Sequence, residues 1–84
     1  MEYDVAADVK IYVQENQYIP QIKSEIEKIA KISKMNEEEL AFGLKALKVT
    51  ILISDAEGGM DALEQQIKKI PHVSEIEVEN VTRI

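Results

Sequence analysis

Few side chains in this sequence are equipped for chemistry, and their spacing keeps them apart. The one histidine, His72, follows Pro71 in a stretch that reads as a turn. A metal centre would need further ligands at suitable spacing around it, and none stands there. His72 is therefore expected to be an exposed turn residue, and no metal or cofactor is expected. Glu37, Glu38 and Glu39 could touch a hard cation, but three consecutive side chains diverge, so the run reads as a solvated turn. Gly58 and Gly59 ahead of a helix resemble an anion-binding turn. A phosphate loop would place a lysine and a serine or threonine after the glycines. Here Met60 and Asp61 follow and Glu57 precedes, so the glycines read as a tight strand-to-helix connection. No histidine is placed to activate a serine, which leaves a nucleophilic triad without support. Two residues are not absorbed by ordinary structural duties. Phe42 is the only phenylalanine, set in Ala41-Phe42-Gly43 with Lys45 close behind. It is either a core residue or an anchor for a partner's pocket. Arg83, next to the last residue, is either a frayed terminal charge or a tethered cation.

The elements that must position these residues follow from hydrophobic spacing. Residues 5–13, VAADVKIYV, alternate strictly and predict a half-buried strand. Gln14–Gln17 read as a polar loop. Ile19, Ile22, Ile26 and Ile29 predict an apolar stripe on a helix with Pro20 in its first turn. Glu27 and Lys31 would pair along its outer face. Ile32 and Met35 either extend that stripe or belong to a short edge strand over Ile32–Asn36, and periodicity alone slightly favours helix. Ala46–Ser54 is the strongest strand, with Leu47, Val49, Ile51 and Ile53 facing the core and Ala46, Lys48, Thr50 and Leu52 facing away. A turn at Asp55–Gly59 leads to a second helix over Met60–Ile70, and a last strand runs over Ser74–Thr82. Val81 breaks the alternation there, as a bulge or a strand end would.

Eighty-four residues suffice for one domain, expected to span 1–84, and the 45% hydrophobic share is that of a globular chain. So small a domain commits most apolar positions to its core, which places function on the surface. Ten basic against sixteen acidic residues give a net charge of −6. That charge lacks the basic footprint of nucleic-acid binding and disfavours an anionic membrane. The absence of cysteine removes disulfide, thiolate-metal and cysteine-nucleophile chemistry and fits a reducing cytoplasm. No run is long and apolar enough for a membrane span, and the N-terminus lacks the basic start and apolar core of a signal peptide. No exposed apolar stripe demands a dimer, so a monomer is expected.

The order β-α-(β)-β-α-β predicts an α+β ferredoxin-like βαββαβ sandwich, a four-stranded antiparallel sheet with two helices on one face. The open face is a poor RNA platform: Tyr12 is its one aromatic, and Glu75, Glu77 and Glu79 would repel phosphates. Two other readings suit the fold. A small regulatory ligand-binding domain would dimerise on binding its metabolite. An acyl-phosphatase-like enzyme would need a basic phosphate cradle, and Gln14-Glu15-Asn16-Gln17 after the first strand has no arginine.

The stretch LAFGLKALKVTILISDAEGGMDALEQQI resembles the elongation factor 1-beta family in its archaeal form, and AFGLxAL followed by DxEGG is the specific part. VAADVKIYV and VSEIEVENVTRI match the same pattern, so the resemblance covers nearly the whole chain. It implies a ferredoxin-like sandwich, which argues for the edge strand at Ile32–Asn36. It implies guanine-nucleotide exchange on elongation factor 1-alpha, the GTPase that delivers aminoacyl-tRNA, without covalent chemistry. In eukaryotic relatives the aromatic of a Gly-aromatic-Gly motif packs into the GTPase. Phe42 and Gly43 occupy that place here, with Ala41 for the first glycine. A penultimate lysine there reaches toward the magnesium site, and Arg83 stands in its position, wider and planar. On this resemblance Phe42 wedges displaced elements apart, while Arg83 or Lys45 competes for the magnesium position, ring and terminal cation working from the same side. The acidity would steer the chain toward a basic partner.

Overall fold

The computed structural model describes residues 3–54 and 59–84. Strict alternation produces strand β1, Val5–Val13, whose Val5, Ala7, Val9, Ile11 and Val13 are all buried. A short 3-10 turn at Asn16–Tyr18 then leads into helix α1, Ile19–Ile29. Pro20 lies in the opening turn, where its missing N–H leaves no bond unmade. The helix buries Ile19, Ile22 and Ile26. Ile29, expected on the same stripe, is 37% exposed. It is the last helical residue, since Ala30 turns extended at φ −148°, ψ 153°. This stop also rules out pairing of Glu27 with Lys31 along the helix, because Lys31 already opens the next strand. The ion pair on α1 joins Lys28 to Glu25 at 3.3 Å.

That next strand, β2, runs over Lys31–Glu39, as the resemblance implied for Ile32–Asn36, and corrects the expectation of a solvated turn at Glu37–Glu39. Ile32–Asn36 is strand rather than additional helix, and Glu37–Glu39 continue it instead of forming a solvated turn. The reason lies in the register. Ile32 pairs with Ile51 and Lys34 with Thr50, which leaves Ser33 as an extra residue. A bulge of this kind keeps Ile32 and Met35 on one face of the strand although they are three residues apart. The spacing therefore imitates a helix. The glutamates stay in the strand because Glu37, Glu38 and Glu39 pair with Leu47, Ala46 and Lys45. Lysines answer two of these charges: Lys10 lies 3.2 Å from Glu38, and Lys23 lies 2.9 Å from Glu37.

Strand β3, Lys45–Ile53, buries Leu47, Val49, Ile51 and Ile53 as its alternation predicts. Ala46, expected to face away, is buried as well, between its cross-strand partners Tyr12 and Glu38. The turn expected at Asp55–Gly59 lies outside the described residues except for Gly59, which opens helix α2, Gly59–Lys68. Leu63 and Ile67 on that helix, and Ile70 just beyond it, complete the core. Strand β4 covers Val73–Arg83, one residue longer than expected at each end.

The sheet order is β2-β3-β1-β4 with every neighbouring pair antiparallel, and the two helices cover one face: an α+β ferredoxin-like fold. β1 and β3 form its centre, and Ile11, Ile22, Ile26, Leu47, Ile51 and Ile67 are the largest side chains sealed between sheet and helices. On the opposite face polar groups bond across strands. Tyr12 donates its O–H to Glu77 at 3.2 Å, Thr50 donates to Asp8 at 2.7 Å, and Lys48 lies 3.4 Å from Glu79. Lys10 stands 5.3 Å from the centre of the Tyr12 ring, and the Glu38 carboxylate beside it raises its pKa above the ordinary 10.5. Among the described residues, no helix is long and apolar enough to cross a membrane.

Candidate functional site

The hairpin between β2 and β3 carries the motif residues. Its last ladder pair is Glu39 with Lys45, and the Leu40 N–H then donates to the Leu44 carbonyl at 2.6 Å. Only Ala41, Phe42 and Gly43 remain to reverse the chain. So tight a reversal needs left-handed backbone, and both Phe42 (φ 61°) and Gly43 (φ 78°) supply it. A methyl group on Gly43 would meet nothing within 4 Å. Its glycine thus answers a torsional demand rather than a lack of room. Ala41 does not adopt positive φ, so an alanine at this position carries no backbone strain.

Phe42 is 100% exposed, and the core reading of this residue is therefore set aside. A bulky side chain in the left-handed region costs on the order of 1–2 kcal/mol. Here that conformation lifts the ring clear of the sheet, and Leu44, two residues on, is 46% exposed. The loop is braced from a part of the chain that spacing did not single out. Asn16, in the turn after β1, donates from Nδ2 to the Gly43 carbonyl at 2.8 Å and accepts the Lys45 N–H on Oδ1 at 3.0 Å. The signal in the sequence was only the residue type, since asparagine is suited to bridging a backbone donor and acceptor.

Lys45 begins β3 and is no free cation. Its Nζ lies 3.5 Å from Glu37, whose other oxygen receives Lys23 of α1 at 2.9 Å. The hydrogen bond and charge of Lys23, with a smaller part from Lys45, hold the Glu37 carboxyl below its ordinary 4.5. The stabilisation is present above pH 4.5 and is lost as pH falls through the lowered folded value. Glu37→Gln is accordingly expected to flatten the stability-against-pH curve on its acid limb while leaving its slope near neutrality unchanged, as measured by urea unfolding at a series of pH values.

His72 is also corrected. It is half-buried rather than an exposed turn residue, with φ 74°. Its ring stacks on Tyr18 at 3.5 Å between centroids, and its Nδ1 lies 3.3 Å from the Gln14 side-chain oxygen. Gln14 also donates its backbone N–H to the His72 carbonyl at 2.9 Å. The turn after β1 is thereby fixed to the entry of β4 as well as to the Phe42 loop. Among the described residues, no group of three or more histidine or acidic side chains could hold a metal ion.

Arg83 is neither frayed nor near Phe42. It lies within β4 opposite Val5, and the Ile84 N–H donates to the Asp4 carbonyl at 3.0 Å. Val5 also pairs with Ile53, the last residue of β3, whereas Phe42 precedes the first. The two residues thus stand at opposite ends of the sheet, separated by on the order of 25–30 Å for nine-residue strands. The expectation that both work from the same side is overturned by this topology. The face on which Arg83 lies is set by a second bulge: Val9 pairs with Val78 and Asp8 with Asn80, leaving Glu79 as the extra residue. Beyond it Val81 and Arg83 lie opposite Ala7 and Val5, on the helix side of the sheet.

An exposed aromatic on a strained, braced hairpin and an arginine at the far end of the same sheet are features to compare with known proteins. The family model for the EF-1 guanine nucleotide exchange domain matches residues 6–84. An elongation factor 1-beta from Aeropyrum pernix is 42% identical over 86 aligned positions, covering 95% of this chain and 96% of the relative. Proteins of the same name from Thermoplasma acidophilum and Methanothermobacter thermautotrophicus are each 42% identical over 64 positions, covering 76% of this chain and 73% and 72% of the relatives. With the match running from β1 through the Phe42 hairpin to the last residue of the chain, this protein belongs to the EF-1 guanine nucleotide exchange domain family.

Proposed function

We propose that this chain promotes GDP release and GTP loading on elongation factor 1-alpha during translation, acting in the cytoplasm as a single-domain monomer without covalent chemistry. The observation that carries this reading is the Phe42 ring, wholly exposed at the tip of a braced hairpin inside a family match over residues 6–84. An exchange factor works by binding the nucleotide-poor GTPase more tightly than the loaded one. By linkage, each tenfold loss of nucleotide affinity requires about 1.4 kcal/mol of differential binding. A GTPase holds GDP through backbone donors and a magnesium ion that neutralises the phosphates. Two kinds of group on this chain suit the task of weakening that hold. Phe42, with Gly43 shaping its loop, offers a ring to an apolar pocket that exists only in the displaced arrangement. Arg83 offers a positive charge to the anionic surroundings of the magnesium site. Lys45, neutralised in part by Glu37, braces the Phe42 end rather than competing with magnesium.

Because ring and arginine stand at opposite ends of the sheet, they engage two separate regions of the partner. The test is the release of a fluorescent GDP analogue from elongation factor 1-alpha, which the chain is expected to accelerate. An unchanged release rate would overturn the proposal. Arg83→Ala is expected to lower the accelerated rate by less than about tenfold, as for a charge at an interface rim, with the deficit growing as magnesium is raised. A deficit independent of magnesium would remove Arg83 from that role.

A further inference from the structure

We propose that Asn16 is a positioning residue for nucleotide exchange: its side chain holds the Phe42 hairpin in the projecting conformation that the partner receives. This inference rests on the exchange function proposed above and adds to it a residue that the motif does not contain. Beyond the Leu40 N–H to Leu44 carbonyl bond at 2.6 Å that closes its base, the hairpin tip has little else to define it. Phe42 is fully exposed, nothing approaches the space a side chain on Gly43 would fill, and both residues occupy left-handed backbone. Within the loop, the Leu44 N–H donates to the Ala41 carbonyl at 3.3 Å, a long bond. The Asn16 contacts are shorter, at 2.8 and 3.0 Å, and they grip the carbonyl of Gly43 and the N–H of Lys45, on either side of Leu44.

The brace is itself anchored. Gln14 is tied to His72 through backbone and side chain, Tyr18 stacks on the His72 ring, and the next residue, Ile19, is buried in the core. Asn16 therefore connects a strained tip to a fixed part of the fold across 27 and 29 residues of sequence. Without it the tip still carries its phenylalanine, but the ring samples several directions and must be ordered at the moment of binding. Ordering of that kind weakens association without altering what the bound complex does.

The test is a titration of the factor against fluorescent-GDP release at a temperature well below the unfolding midpoint. Asn16→Ala is expected to raise the factor concentration needed for half-maximal acceleration by about tenfold while the rate at saturation stays within about twofold, the pattern of a lost pre-organising contact. Asn16→Asp keeps an acceptor for the Lys45 N–H but sets an oxygen against the Gly43 carbonyl, and is expected to behave like alanine. Read on the acceleration that Phe42→Ala retains at high factor concentration, the effect must also vanish in that background, because a brace has no consequence once the ring is gone. Hydrogen exchange at the Lys45 amide reports the brace directly and is expected to quicken in both Asn16 variants. Three outcomes would overturn the proposal: an unchanged titration for Asn16→Ala, an equal effect with and without Phe42, or a loss confined to the saturated rate. Failure of the wild-type chain to accelerate release would instead remove the exchange reading itself, whereas acceleration by wild type with any of those three outcomes removes only the role of Asn16.

Discussion

Phe42→Ala is expected to remove most of the acceleration of GDP release while leaving the fold intact. The two halves of this expectation have separate physical grounds. The ring is fully exposed and takes no part in the buried cluster, so its removal exposes no cavity and breaks no core contact. Substitutions at such surface positions change stability by about 0.5 kcal/mol or less. The left-handed backbone at this position strains alanine and phenylalanine alike, so the loop itself gains nothing from the change. At an interface, by contrast, an aromatic anchor filling a pocket is commonly worth about 2–4 kcal/mol, or roughly 30- to 800-fold in affinity. A urea unfolding curve superimposable on wild type, together with a release rate near that of the unassisted GTPase, is the expected pair of results. A large drop in the unfolding midpoint would return Phe42 to a structural role, and full exchange activity would remove it from the contact.

The opposite pattern is expected from the centre of the sheet. Ile51 is sealed on β3, paired with Ala7 of β1 and Ile32 of β2. Ile51→Ala removes three heavy atoms from a site bounded by two neighbouring strands and the helices above, where collapse is resisted from all sides. Such truncations cost about 2–5 kcal/mol, against a total stability of roughly 4–13 kcal/mol for a chain of this length. The urea midpoint should fall steeply with an unchanged slope, and exchange should fail only where the folded fraction does. Ile29→Ala is the matched control. Ile29 shares the residue type and the helical spacing of the core isoleucines but is 37% exposed, so about 1 kcal/mol or less is expected. Equal losses for the two variants would contradict the assignment of the core.

What the sequence disclosed and what it concealed divide on physical lines. β1 was legible to the residue because one buried face against one half-covered face imposes alternation. β2 was not, because the extra residue at Ser33 converts a strand period into the three-residue interval of a helix, and only the family pattern favoured the strand. Glu37–Glu39 looked like a solvated turn because nothing local shows that Lys23, Lys45 and Lys10 stand ready to receive two of the charges. The exposure of Phe42 was one of two open readings, since hydrophobicity cannot say which way a single aromatic in a loop points. Asn16 reads as part of a polar connection, because its value lies in partners 27 and 29 residues away. The separation of Phe42 from Arg83 follows from strand direction: β3 and β4 both run antiparallel to β1, so the start of one and the end of the other stand at opposite ends of the sheet.

The surplus residue at Glu79 has a consequence for how this chain tolerates change. Everything C-terminal to it is a half-period out of step with an uninterrupted strand, and that offset is what brings the arginine round to the side carrying the helices. Shortening this stretch by one residue would conserve the composition of the tail and still aim its cation the wrong way, while exchanging one side chain for another would leave the aim intact. Length, counted in single residues, thus sets the face on which this cation stands.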